Sequence, residues 1–188
     1  MFAFTVQQGS RHNLWAYAPQ GTCHLLDGIK PLSSADQPTL AKARAFAEHC
    51  ETLLDVNGLL PASRFELAKI PKLAPFVVIL GSISEGSDFE VRLAGTRVVD
   101  EFLGRDPTGT KLSEVLAGDE FGKHSWHIMH EVLRTKRPVL NQPGRTRLKS
   151  KEYLQLETVN YPLVDTTGTV VKVACLYDYL FEKQPAAS

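Results

Sequence analysis

The chain has 188 residues, of which 43% are hydrophobic and 22% charged. This balance supports one domain with a buried core plus an additional segment, and it excludes disorder throughout. Basic and acidic residues both number 21, so no net field draws the protein toward nucleic acid or an anionic membrane, and an electrostatic partner must be read by a local patch. Cys23, Cys50 and Cys175 are odd in number, far apart and without a CxxC pair, which argues against a disulfide framework or a zinc knuckle and fits reduced thiols in a cytosol. The first ten residues lack the basic start and apolar stretch of a signal peptide, and no apolar run approaches the roughly 18 residues of a membrane span. A cytoplasmic protein without membrane insertion is expected.

Residues 1–38 read as an irregular extension. Phe2, Phe4 and Val6 alternate like a short strand, and Gly9, Pro19, Gly21, Gly28, Pro31 and Pro38 punctuate the rest of the segment. From Thr39 the apolar residues Leu40, Ala43, Ala47, Cys50 and Leu54 recur at three-and-four spacing, which predicts an amphipathic helix over 39–56. Thr39 is the expected N-cap and Asn57-Gly58 the stop, so that 39–58 forms a flanking element.

A main domain is expected over 59–183, followed by a short tail at 184–188. The run Phe76-Val77-Val78-Ile79-Leu80 is short and β-branched and predicts a buried strand. After the turn cluster Glu85-Gly86-Ser87-Asp88, Phe89, Val91 and Leu93 alternate with Glu90, Arg92 and Ala94, which makes a hairpin. Residues 96–116 hold short helical pieces broken by Gly104, Pro107 and Gly109. A second helix spans 119–136, with Phe121, Ile128, Met129, Val132 and Leu133 on its apolar face and Pro138 at its end. Three strands complete the chain at 139–148, 153–164 and 169–181, the last two joined by Asp165-Thr166-Thr167-Gly168. Two strand groups split by a helical crossover make an α+β fold, an antiparallel sheet with helices on one face.

Most catalytic chemistry fails on spacing. Residues 104–111 place Thr110 where a phosphate-binding loop needs lysine, with Lys111 one position late. The serines around Gly81-Ser82-Ile83-Ser84-Glu85-Gly86 miss the register of a nucleophile elbow. Cys50 and Cys175 fall on a helix face and in a strand, where cysteine acts as a small hydrophobe. No acid/base pair of carboxylates stands out, and a non-enzymatic protein is expected. His124, His127 and His130 recur every third residue of the second helix, beside Lys123 and Arg134, as on a solvated face. Arg134, Lys136, Arg137, Arg145, Arg147, Lys149 and Lys151 form a basic stripe with no acid between Glu131 and Glu152, a solvated face or a surface for an acidic or phosphate-bearing partner.

Arg92-Leu93-Ala94-Gly95-Thr96, then Gly104-Arg105-Asp106-Pro107-Thr108-Gly109 and Leu112, resemble the RLAGT and GRDxTG signature of a bacterial PAS-like family that often occurs as a free-standing domain. Glu157 and Tyr161-Pro162-Leu163, followed by Asp165 and Gly168, resemble its fourth strand and last turn. The similarity covers residues 60–179. It implies a five-stranded PAS sheet, a cavity between sheet and helices, and a non-catalytic sensory or regulatory role through a small-molecule ligand, a partner signalling protein, or both. Trp126, Met129, Leu133, Tyr161 and Cys175 are the expected cavity residues, with the ligand unspecified. The helix over 39–56 is the expected homodimer contact, although packing on its own sheet would satisfy its apolar stripe equally. The alternative implied by the resemblance is a haem- or metal-dependent redox sensor, with His124 as axial ligand on the histidine-rich helix.

Overall fold

The pair of strands β3 (Val77–Ile83) and β4 (Asp88–Ala94) forms the expected hairpin, antiparallel from Val78↔Ala94 to Ile83↔Asp88. It belongs to a computed structural model that describes residues 29–33, 35–83, 86–115, 120–145 and 154–181. Five consecutive residues of β3 are buried, which requires cover on both faces of the sheet rather than one. The remaining long strands are β5 (Val139–Arg145), β6 (Leu154–Val164) and β7 (Val170–Phe181). Two short strands join them, β1 (Ile29–Pro31) and β2 (Leu60–Pro61). The spatial order is β1-β5-β6-β7-β3-β4, with β2 pairing parallel to β6 and the other pairs antiparallel.

Alternate residues of each strand serve two separate cores, following the period of two. Val77, Ile79, Val159, Tyr161, Leu163, Ala174 and Leu176 belong to one. Val78, Leu80, Leu154, Leu156, Val173 and Cys175 belong to the other. Over the first lies α1 (Ala41–Glu51), whose Ala43, Phe46, Ala47 and Cys50 are buried. Over the second lies α4 (Glu120–Thr135), with Phe121, Ile128, Met129 and Val132 buried. Of the two fates expected for the flanking helix, a homodimer contact or packing on its own sheet, α1 shows the second, on the face opposite α4.

Helix α1 is shorter than the 39–56 expected. The Asp55 carboxylate accepts the N–H groups of Asn57 at 2.8 Å and Leu59 at 2.9 Å, a local turn that competes with helix, while Arg64 donates to the carbonyls of Leu53 and Leu54. Val56 is fully exposed. At the other end Leu40, not Thr39, is the N-cap residue, and its side chain makes no cap hydrogen bond. Two carboxylates of the sheet take over that task. Thr39 N–H and hydroxyl donate to Glu157 Oε1 at 2.9 and 3.2 Å, and Leu40 N–H to Glu157 Oε2 at 2.7 Å. Lys42 N–H and Ala43 N–H donate to Asp178 Oδ2 at 2.8 and 3.2 Å, and Lys42 Nζ reaches Asp178 Oδ1 at 2.7 Å. Glu157 and Asp178 are cross-strand partners on β6 and β7 and both are buried. The positive end of the helix and its orphan N–H groups offset the desolvation of these anions.

Between the hairpin and α4 run α2 (Thr96–Val98), one turn of π-helix at Val99–Leu103, and α3 (Leu112–Val115), the short pieces expected there. Gly104 ends the π turn with φ 71°, an angle that glycine adopts without strain. Gly95 has a different reason: its φ is ordinary, but a Cβ there would stand 2.4 Å from the Pro75 carbonyl oxygen. Close approach of two backbones, not an unusual angle, demands glycine at the strand-to-helix junction.

The outer sides of β4 and β5 are each partly paired. On the outer side of β4, Val91 N–H donates to Thr110 O at 2.9 Å and Gly109 N–H to Val91 O at 2.8 Å. On the other side β1, part of the segment expected to be irregular, pairs with β5 from Ile29↔Asn141 to Pro31↔Val139. Pro143 falls at a register shift in β5 between Asn141 and Gly144, and Pro162 lies between the last residue of β6 paired with β5, Asn160, and the first paired with β2, Leu163. Prolines sit where a ladder N–H is not needed. Among the described residues, no helix is long and apolar enough to cross a membrane.

Candidate functional site

Two separate concavities border the sheet. The first is internal, between α4 and the sheet, where the expected ligand cavity belongs. Its polar lining comes from His124 and Ser125 on α4, Asn141 on β5, Thr158 and Asn160 on β6 and Tyr177 on β7. The positions alternate correctly: Thr158 and Asn160 share a face with Leu154 and Leu156, and Tyr177 with Cys175. His124 Nε2 stands 2.9 Å from Asn141 Oδ1. Asn160 Nδ2 donates to Val139 O at 3.2 Å and to Thr158 Oγ1 at 3.1 Å. Burial pushes the Tyr177 phenol well above its ordinary range, with the Cys175 sulfur adding to the effect, so it is a neutral hydroxyl at physiological pH. Only about 20 Å³ is open, room for a single water among these groups.

Of the five residues expected to line a cavity, Met129 lines this one. Trp126, Leu133 and Cys175 belong to the same core without bordering the space. Trp126 packs edge-on against Phe89, with centroids 6.1 Å apart, and against His130 at 5.2 Å. Burial pushes the Cys175 thiol far up, keeping it protonated and unreactive. Tyr161 is on the opposite face, edge-on to Phe46 at 6.0 Å, its hydroxyl donating to Ala47 O at 3.4 Å. Cys175 pairs across the ladder with Asn160, one residue before Tyr161, and that single step sends the two side chains to opposite sides.

Of the three histidines, His124 turns toward the sheet, while His127 and His130 are partly exposed along α4. Desolvation first, and the neighbouring histidine second, lower the pKa of both. No group of three metal-ligating side chains occurs among the described residues. The side chains of Arg145, Arg147, Lys149 and Lys151 lie outside the described residues. So do Phe2, Phe4, Val6 and Cys23.

The second concavity is an open cleft of about 660 Å³ at the C-terminal end of α1. Leu32 after β1, Leu54 and Leu59 after α1, and Tyr161 of β6 give it an apolar floor, and Pro138 an apolar side. Glu51 stands on one wall and Lys136 and Arg137 on another. Lys136 is the one non-glycine residue with positive φ, 53°, among those described, and its Nζ donates to Gly168 O at 2.9 Å. No sequence motif marks this cleft, because its lining comes from four separate stretches of the chain.

No family model matches the sequence, and neither a curated protein nor a solved structure matches the chain.

Proposed function

We propose that the protein is a non-catalytic regulatory module of PAS type that works chiefly through its surfaces, by binding a partner signalling protein, with an interior filled by its own side chains. The single observation that carries this reading is the cavity beneath α4, reduced to about 20 Å³. The resemblance supplies the PAS part. In its support, two antiparallel strand groups, β3–β4 and β5–β7, flank a helical crossover, and the motif residue Gly95 occupies a junction that only glycine fills.

A haem does not fit. His124 faces the interior as an axial ligand must, but a macrocycle needs far more room than one water, and the histidine is held against Asn141. Homodimerisation through α1 loses its driving force too, since the apolar stripe of the helix is packed on its own sheet.

Native mass spectrometry of the purified full chain, set against its denatured mass, tests the filled interior, together with haem titration. Equal masses and no Soret band are expected. An adduct that Ser125→Leu abolishes by filling the space, or a Soret band lost in His124→Ala, would overturn the reading. An adduct abolished instead by Arg137→Gln belongs to the cleft and leaves the interior closed.

A further inference from the structure

The cleft at the end of α1 is lined by charges of both signs that form no ion pair with one another. Glu51 and Arg137 are both exposed and both border it. Neither forms an ion pair with the other, or with any other described residue. Arg137 presents a planar fork suited to a carboxylate, and Lys136 beside it adds a second positive charge. Glu51 presents the acceptor that an ammonium group requires. Between them lies a floor of leucine and tyrosine side chains. The volume, about 660 Å³, is in the range of small-molecule sites, which combine apolar lining with a few fixed polar groups.

We propose that this cleft binds a zwitterion with an apolar body, a primary ammonium at Glu51 and a carboxylate at Arg137, as in an apolar amino acid or a short peptide. Charge complementarity is the argument. A simple anion would meet Glu51 as a like charge, and a simple cation would meet Arg137. An apolar ligand would gain nothing from either charge, whereas a zwitterion pairs with each and covers the floor. The site is independent of the reading above, since it shares no lining residue with the α4 cavity.

Isothermal titration of the full chain with L-leucine, leucyl-leucine, L-leucinamide and N-acetyl-L-leucine tests the assignment. Leucine or leucyl-leucine is expected to bind. Removal of either ligand charge is expected to weaken binding by about tenfold or more, the scale of a lost charge-assisted contact. Arg137→Gln is expected to weaken the zwitterion and to abolish discrimination between leucine and leucinamide. Glu51→Gln is expected to abolish discrimination between leucine and N-acetyl-leucine. Both residues are on the surface, so both variants keep the fold. Binding of the amino acid alone identifies a metabolite site, and binding of the dipeptide alone a peptide site. Absence of binding by all four probes at millimolar concentration would overturn the proposal, as would unchanged ligand preferences in both variants.

Discussion

On the α1 face of the sheet, Phe46 stands edge-on to both Phe65 and Tyr161, and the surrounding core is aliphatic, with acids only where they hold the helix end. On the α4 face the middle of the sheet presents Thr158 and Asn160, with Asn141 and His124 hydrogen-bonded beside them. One strand, β6, supplies both surfaces by alternation, so strand propensity cannot account for the contrast. Replacing hydrogen-bonded polar groups by apolar ones of matching shape is often neutral for stability. Apolar packing therefore holds the fold together on both faces, and the α4 face in addition keeps polar groups that stability does not require.

The largest effect that would break this comparison is a truncation on each side. Phe46→Ala is expected to cost about 4 kcal/mol in urea unfolding, and Met129→Ala, beside a space that already exists, about 2 kcal/mol. An equal or larger loss at Met129 would make the α4 face the principal core. Next in size is Glu157→Gln, which keeps the shape but turns an amide N–H₂ toward the donors of Thr39 and Leu40. A loss of about 2 kcal/mol is expected, with amide exchange accelerated over residues 39–43 ahead of α4. Uniform acceleration would mean that the carboxylate stabilises the whole sheet rather than the helix end.

Smaller still, Thr158→Val removes one acceptor from Asn160 and is expected to cost about 1 kcal/mol or less. A loss matching that of Glu157→Gln would assign the polar cluster a structural role. The smallest expected effect is that of pH. The folded pKa values of His127 and His130 lie below the ordinary value of about 6.5, so below that pH the unfolded chain binds protons that the folded chain resists. Their contribution is fully present above about pH 6.5 and is lost as the pH falls through the lower folded values. The urea midpoint should fall between pH 7.5 and 5.5, and by less in the double variant His127→Gln/His130→Gln. The aspartates with lowered pKa, Asp55, Asp106 and Asp165, titrate below this window. An identical fall in the variant would place the titration elsewhere.

How far the sequence foretold this arrangement depended on where the deciding contacts lie. Helix α4 was legible to within a residue at each end, because its apolar periodicity and Pro138 are local signals. The β3–β4 hairpin and β7 were legible for the same reason. The start of α1 was not, because its capping group is Glu157, distant in the chain and brought near only by the sheet. Its end was misplaced because Asp55 stops the helix before Asn57-Gly58 is reached. The candidate cavity residues were placed by the expected inward faces of helix and strands, and strand alternation without a register does not decide between faces: Tyr161 and Cys175 are both buried, and only the ladder register separates them. Thr158 and Asn160 sat in plain view as polar residues in a long strand, a pattern that resembles a wet face until the helix above it is known. The cleft had no local signal of any kind.

The partial pairing on the outer sides of β4 and β5 limits how another chain can join the sheet. A visiting strand needs a row of open N–H and carbonyl groups. Beside β4 the backbone of Gly109 and Thr110 already occupies that row, and beside β5 the row belongs to β1, itself only three residues long and ended by Pro31. An added strand is thereby blocked at Val91 of β4 and over Val139, Leu140 and Asn141 of β5. Loss of β1 would lift the second block, exposing the backbone of Val139, Leu140 and Asn141 as a template for a strand of another copy.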